Sequence, residues 1–131
     1  MRYLLLLVFL MPNSIHAQTN LGDLSSRELF AHTVGTCSQL LEYGNKRKNL
    51  RATLSWRMHA QDVNDMIALS KSQNWRPEDN KIAKAAGRDI LAKLTSKQTE
   101  FEDADNWVRC AYLLPTLIEQ NYQPNFVDEN D

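Results

Sequence analysis

The sequence predicts an all-α domain of four helices, with one disulfide joining the first and last helices. Three observations lead there. Apolar residues recur at steps of three and four along four separate stretches, the spacing that lines one face of an α-helix. No alternation of apolar and polar residues lasts beyond three or four positions, so no strand is expected. The two cysteines, Cys37 and Cys110, fall in the first and last of these stretches, 73 positions apart.

The 131 residues leave room for one core. Fifteen Lys and Arg against sixteen Asp and Glu give a net charge of -1, and without a basic excess to neutralise phosphates no nucleic-acid binding is expected. Two cysteines are too few for a zinc ribbon.

The N-terminus has the three parts of a secretory signal peptide. Arg2 supplies the charge, Tyr3 to Met11 an almost wholly apolar run, and Ala17 a small residue after a polar break. Residues 1–17 are therefore expected to be removed. The apolar run is about half the roughly 20 residues needed to span a bilayer. No cysteine follows for lipidation and no second long apolar run exists, so no stable membrane anchor is expected. The expected location is periplasmic, with secretion as the alternative. Residues 18–122 form the single helical domain in this reading, and 123–131 an acidic, disordered tail. In an oxidising compartment two cysteines in one small domain pair most simply with each other. Closing that loop removes about 4 kcal/mol of unfolded-chain entropy.

The first helix starts at Ser25-Ser26-Arg27-Glu28, the Ser-x-x-Glu spacing of a capping box. Phe30, Val34, Cys37 and Leu41 form its stripe, flanked by Leu29 and Leu40, and Gly44-Asn45 ends it. The second segment, Asn49 to about Ser72, has two apolar faces: Leu50, Leu54 and Met58 on one, Trp56, Ala60, Val63 and Ile67 on the other. It is either buried on two sides or kinked between His59 and Asp62. Asn74-Trp75-Arg76 breaks the pattern. Pro77 then presets the first turn of a third helix, with Glu78 and Asp79 at its positive end and a stripe of Ile82, Ala86, Ile90 and Leu94. Thr95-Ser96-Lys97-Gln98 looks like a further helix start, leading to a fourth helix from about Asp103 to Tyr122. Ala104, Trp107, Ala111, Leu114 and Ile118 share its face, with Cys110 on the edge, and Pro115 is expected to bend it.

The chemical inventory is thin. His32 and His59 belong to no haem-attachment or zinc-protease motif, and no nucleophile elbow or phosphate loop is present. A disulfide would consume Cys37 as a nucleophile. No catalytic residue, cofactor or metal is expected. Asp62 and Asp65, three apart and near His59, read as a solvated helix face. The basic cluster Lys46-Arg47-Lys48, with Arg51 close by, and the tryptophan Trp75 stand in the connections between helices, where binding groups are commonly displayed. Lys46, Arg47, Lys48 and Trp75 are therefore the candidate partner-binding residues. The alternatives are a solvated loop for the cluster and a core position for Trp75.

Leu94-Thr95-Ser96-Lys97-Gln98 is similar to the Leu-Thr-x-x-Gln signature of small periplasmic chaperones and stress sensors related to Spy and CpxP. That family usually carries the motif twice and does not rely on one long-range disulfide. A second resemblance is one of layout. The signal peptide, a first helix with a central cysteine (Phe30-Ala31-His32-Thr33-Val34-Gly35-Thr36-Cys37), and a cysteine in the last helix (Trp107-Val108-Arg109-Cys110) resemble the immunity proteins of type VI secretion amidases. It implies a small periplasmic helical protein, often dimeric, that plugs the cleft of a peptidoglycan amidase; it transfers no binding residue. The expected role is binding and occluding a cell-wall-directed effector enzyme, with homodimerisation open. A periplasmic chaperone or envelope-stress adaptor, or an accessory subunit of an envelope complex, is the alternative.

Overall fold

The computed structural model describes residues 25–103 and 106–121. The expected signal peptide, the acidic tail and Ala104 lie outside them. The described residues hold five helices and no strand: α1 (Ser26–Asn45), α2 (Lys48–Arg51), α3 (Leu54–Lys71), α4 (Pro77–Thr95) and α5 (Trp107–Asn121).

The α1 helix begins as its letters predict. The Ser25 hydroxyl accepts from the Glu28 backbone N–H at 3.1 Å, and the Ser25 N–H donates to Glu28 Oε1 at 3.0 Å. These bonds satisfy two groups that a helix start otherwise leaves orphaned. Phe30, Val34, Cys37 and Leu40 are buried, while Leu41 is only partly so. The stripe therefore runs through Leu40 rather than Leu41.

The second segment departs from both expectations. It breaks at Ala52-Thr53, where the Thr53 hydroxyl accepts from the Trp56 N–H at 3.3 Å and starts α3 afresh. Helix α3 then runs unbroken through His59 and Asp62. It is not buried on two sides either: Trp56, Val63 and Ile67 enter the core, whereas Leu54 and Met58 face outward.

Thr95-Ser96-Lys97-Gln98 ends a helix instead of starting one. Lys97 takes the left-handed conformation (φ 62°), its N–H donates to Leu94 O at 3.2 Å, and the Gln98 N–H donates to Lys93 O at 2.9 Å. That pair of bonds is a Schellman cap, which satisfies the last carbonyls of α4. A threonine and serine followed by a polar pair suit either end of a helix, so the letters alone did not decide. In α5 the buried face is Trp107, Cys110, Leu114 and Leu117, which puts Cys110 at its centre rather than its edge. Pro115 lies inside α5, which continues past it to Asn121.

Helix α1 packs against α3, α4 and α5 and is the axis of the fold. Its approach to α4 is closest at Gly35, where a side chain would collide with the Ala83 backbone. The Cys37–Cys110 disulfide ties α1 to α5, with Cα atoms 5.8 Å apart. Beside it Trp107 is fully buried, stacked on Trp56 at 4.9 Å and on Phe101 at 5.3 Å. Gly44 leaves the space into which the Trp56 ring is inserted.

Candidate functional site

The four residues singled out from the sequence do not form one surface. Lys46 follows the C-terminal end of α1, exposed and ion-paired with exposed Glu42 at 3.0 Å. The Arg47 guanidinium lies 3.5 Å from the centre of the Tyr43 ring and donates to Tyr43 O at 3.1 Å. Lys48 is exposed. Trp75 is half-buried at the other end of α1, edge-on to Phe30 at 6.3 Å. Phe30 and Lys46 are 16 residues apart, so about 24 Å of helix separates the two groups.

The connection that carries Trp75 is held by an ion pair between residues far apart in the chain. Asp79 is buried, and Arg27 from α1 reaches across to it, its Nη2 2.6 Å from Oδ2. The same nitrogen donates to the Gln73 and Asn74 carbonyls at 3.3 and 3.0 Å, and so clamps the α3–α4 connection onto α1. Burial works against the Asp79 charge. The hydrogen bonds from Arg27 and from the Arg76 N–H outweigh it and hold the carboxyl below its usual range. Because 52 positions separate Arg27 from Asp79, no local pattern could have paired them.

A cavity of about 430 Å³ opens over the disulfide. His32 and Thr36 of α1, Asp89 and Lys93 of α4, Gln98, and Arg109 of α5 stand around it. Asp89 and Lys93 pair with each other at 3.2 Å. Burial keeps the His32 pKa below histidine's ordinary 6.5; Asp89 pulls it up and Lys93 pushes it further down. With both sulfurs bonded to each other, the cavity offers no thiolate nucleophile.

The other conspicuous feature is the side where α3 meets α5. Of the large apolar side chains exposed among the described residues, three are on α3: Leu54 (68%), Met58 (58%) and Leu69 (47%). Steps of four and eleven along a helix put them on one face. The fourth, Tyr112 (67%), stands on α5 with its ring 6.3 Å from that of His59. A cleft of about 410 Å³ runs between, lined by His59, Asp62, Asp65 and Met66 on one wall and Tyr112 and Pro115 on the other. No group of three His, Cys, Asp or Glu side chains among the described residues is arranged to hold a metal ion.

No protein-family model, curated protein or solved structure matches the chain.

Its chemistry therefore rests on these surfaces themselves. Of the face read as Leu50, Leu54 and Met58, Leu50 lies on α2 and is partly buried against the core, while Leu54 and Met58 on α3 are exposed. Isolated exposed apolar residues are ordinary on protein surfaces, whereas several on one helix face are a candidate interaction surface.

Proposed function

We propose that the protein is an exported, periplasmic inhibitor that binds another protein, and that it confers immunity by occluding a cell-wall-directed enzyme. The observation that carries the binding role is the exposure of Leu54, Met58 and Leu69 on one face of α3, whose intervening Asp62 and Asp65 line a cleft with exposed Tyr112 of α5. The scaffold behind it suits an inhibitor. The disulfide and the Arg27–Asp79 pair fix the helices, so little ordering entropy is lost on association. The cell-wall enzyme and the periplasmic address rest on the signal-peptide pattern and on the layout resemblance to amidase immunity proteins. A flexible Met58 in an open apolar face would also serve a chaperone, the second reading.

The test is capture from periplasmic extract with the wild-type protein and with Met58→Asp, followed by an assay of peptidoglycan hydrolysis by the captured protein. The inhibitor reading expects one dominant partner, lost with Met58→Asp, whose activity the wild-type protein suppresses. Many unfolded clients, together with suppression of aggregation of a reduced test protein, would replace it with the chaperone reading. Capture unaffected by Met58→Asp would remove the α3–α5 side from the account.

A further inference from the structure

Resting on the reading of the α3–α5 side as a docking surface, we infer that its occupant is a basic, apolar-anchored segment of the partner protein, with a lysine or arginine side chain seated in the cleft between Asp62, Asp65 and Tyr112. The apolar face is not neutral. Asp62 and Asp65 stand on it between Met58 and Leu69, and both line the cleft. No lysine or arginine is among the residues that line it. Asp65 accepts one hydrogen bond, from the neutral amide of Gln61 at 3.0 Å, and Asp62 has no hydrogen-bond or ion-pair partner among the described residues. Two carboxylates thus share the cleft with the apolar Met66 and Pro115 of its facing walls, and the titratable His59 stands beside them there.

A long cationic side chain meets all of these features at once. Its methylene stem lies along Met66 and Pro115, its charge comes between the carboxylates, and the exposed Tyr112 ring offers a face to the cation. Leu54, Met58 and Leu69 take apolar residues on either side of that cation. Charge complementarity favours this occupant over the others. An anionic lipid surface is repelled by Asp62 and Asp65. A second copy docked face to face through a two-fold axis near Asp62 would set these aspartates against their own copies, with no lysine or arginine lining the cleft to neutralise them.

The experiment uses the full mature protein and two synthetic amphipathic peptides of the length of α3. They are identical in their leucines, one with lysine and the other with glutamate at the polar positions. Binding is followed by fluorescence anisotropy at low and high salt, and sedimentation of the protein alone is run in parallel. The lysine peptide is expected to bind at least roughly tenfold more tightly than the glutamate peptide, an advantage that salt erodes. Asp62→Asn with Asp65→Asn should remove most of that advantage, and both positions are exposed, so the fold should be unaffected. Equal binding of the two peptides, abolished by Met58→Asp, would overturn the cationic occupant while leaving the docking face in place. Binding of neither peptide overturns both. A dimer dispersed by Met58→Asp would show the occupant to be a second copy and overturn the inference.

Discussion

Gly35 on α1 has no room for a side chain because a Cβ there would fall on the backbone of Ala83 on α4. The reverse contact is milder: a Cβ on Gly87 of α4 would lie 3.4 Å from the Gly35 carbonyl oxygen, an ordinary distance. The two glycines therefore make opposite predictions. Gly35→Ala is expected to destabilise the fold by about 2 kcal/mol or more, since the two backbones must separate. Gly87→Ala is expected to be neutral or to gain up to about 1 kcal/mol, the usual advantage of alanine within a helix. Urea unfolding midpoints of the two variants would check the contrast, and an equal loss in both would refute it.

Arg27 and Asp79 give the second prediction. Arg27→Ala leaves a buried carboxylate with only Arg76 to neutralise it, and the expected loss is about 2–4 kcal/mol, reduced from the fully buried case because the Arg27 side chain is 21% exposed. Arg27→Lys should recover only part, because an ammonium cannot reach the carboxylate and the Gln73 and Asn74 carbonyls in one planar fork. The Asp79 pKa is lowered in the folded state, so its contribution is present above the unfolded value near 4 and is lost as pH falls below it. Asp79→Asn should flatten that acid limb. An unchanged acid limb would mean that another carboxylate governs it.

The parts of the fold legible in the sequence are those set by neighbours in the chain. Ser25 and Glu28 are three apart, and the α1 stripe and the proline start of α4 need no distant partner. The cysteine pairing followed from there being just two cysteines in a chain expected to be exported. Where reading failed, the missing information was three-dimensional. Leu54 and Met58 have core letters, but among the described residues α3 packs against helices on its other side, and these two side chains stay exposed. Thr95 to Gln98 became a helix end because Lys97 takes a left-handed backbone that its letter does not announce. Trp75 stands in a connection whose letters do not fix its exposure; Arg27, far away in sequence, draws that connection down onto Phe30 and leaves the ring half-buried.

The disulfide closes a loop of 73 positions between the central helix and the last one. Its removal by Cys37→Ala with Cys110→Ala should cost about 4 kcal/mol on the loop-closure estimate. Both positions are buried, so the variant also loses packing, and reduction of the wild-type protein is the cleaner comparison. Denaturant unfolding with and without reductant would check it. Equal midpoints would mean that the helices hold together without the bond.

His32 predicts a pH dependence in a different window from Asp79. Its pKa is lowered in the folded state, first by burial and then by Lys93, against the pull of Asp89. The unfolded chain therefore binds more protons, and stability rises with pH. The contribution is complete above the unfolded value of about 6.5 and is lost as pH falls from there through the folded value. His32→Gln should flatten the fall in stability below about pH 6.5. A slope that survives the substitution would assign the dependence to another group.

Two surfaces are candidates for the proposed protein partner, and their positions separate them experimentally. Lys46, Arg47 and Lys48 lie near one end of α1, where Lys46 is engaged with Glu42 and Arg47 with Tyr43. The α3–α5 side carries exposed apolar area that no residue of the described fold covers. Binding energy concentrates where apolar groups are desolvated, whereas a rim of charges acts mainly on the rate of encounter. Met58→Asp is therefore expected to weaken partner binding by more than about 1 kcal/mol through faster dissociation, with no loss of thermal stability. Charge reversal at Lys46, Arg47 and Lys48 should change the association rate alone, an effect that disappears at high salt. Trp75→Ala should lower stability, because the ring packs edge-on against Phe30 and lies 6.0 Å from the Arg27 guanidinium. Surface plasmon resonance at two salt concentrations, alongside melting curves, distinguishes these three behaviours. If the charge reversal slowed association and accelerated dissociation at high salt, while Met58→Asp bound normally, the basic connection would be the interface and the α3–α5 side would not.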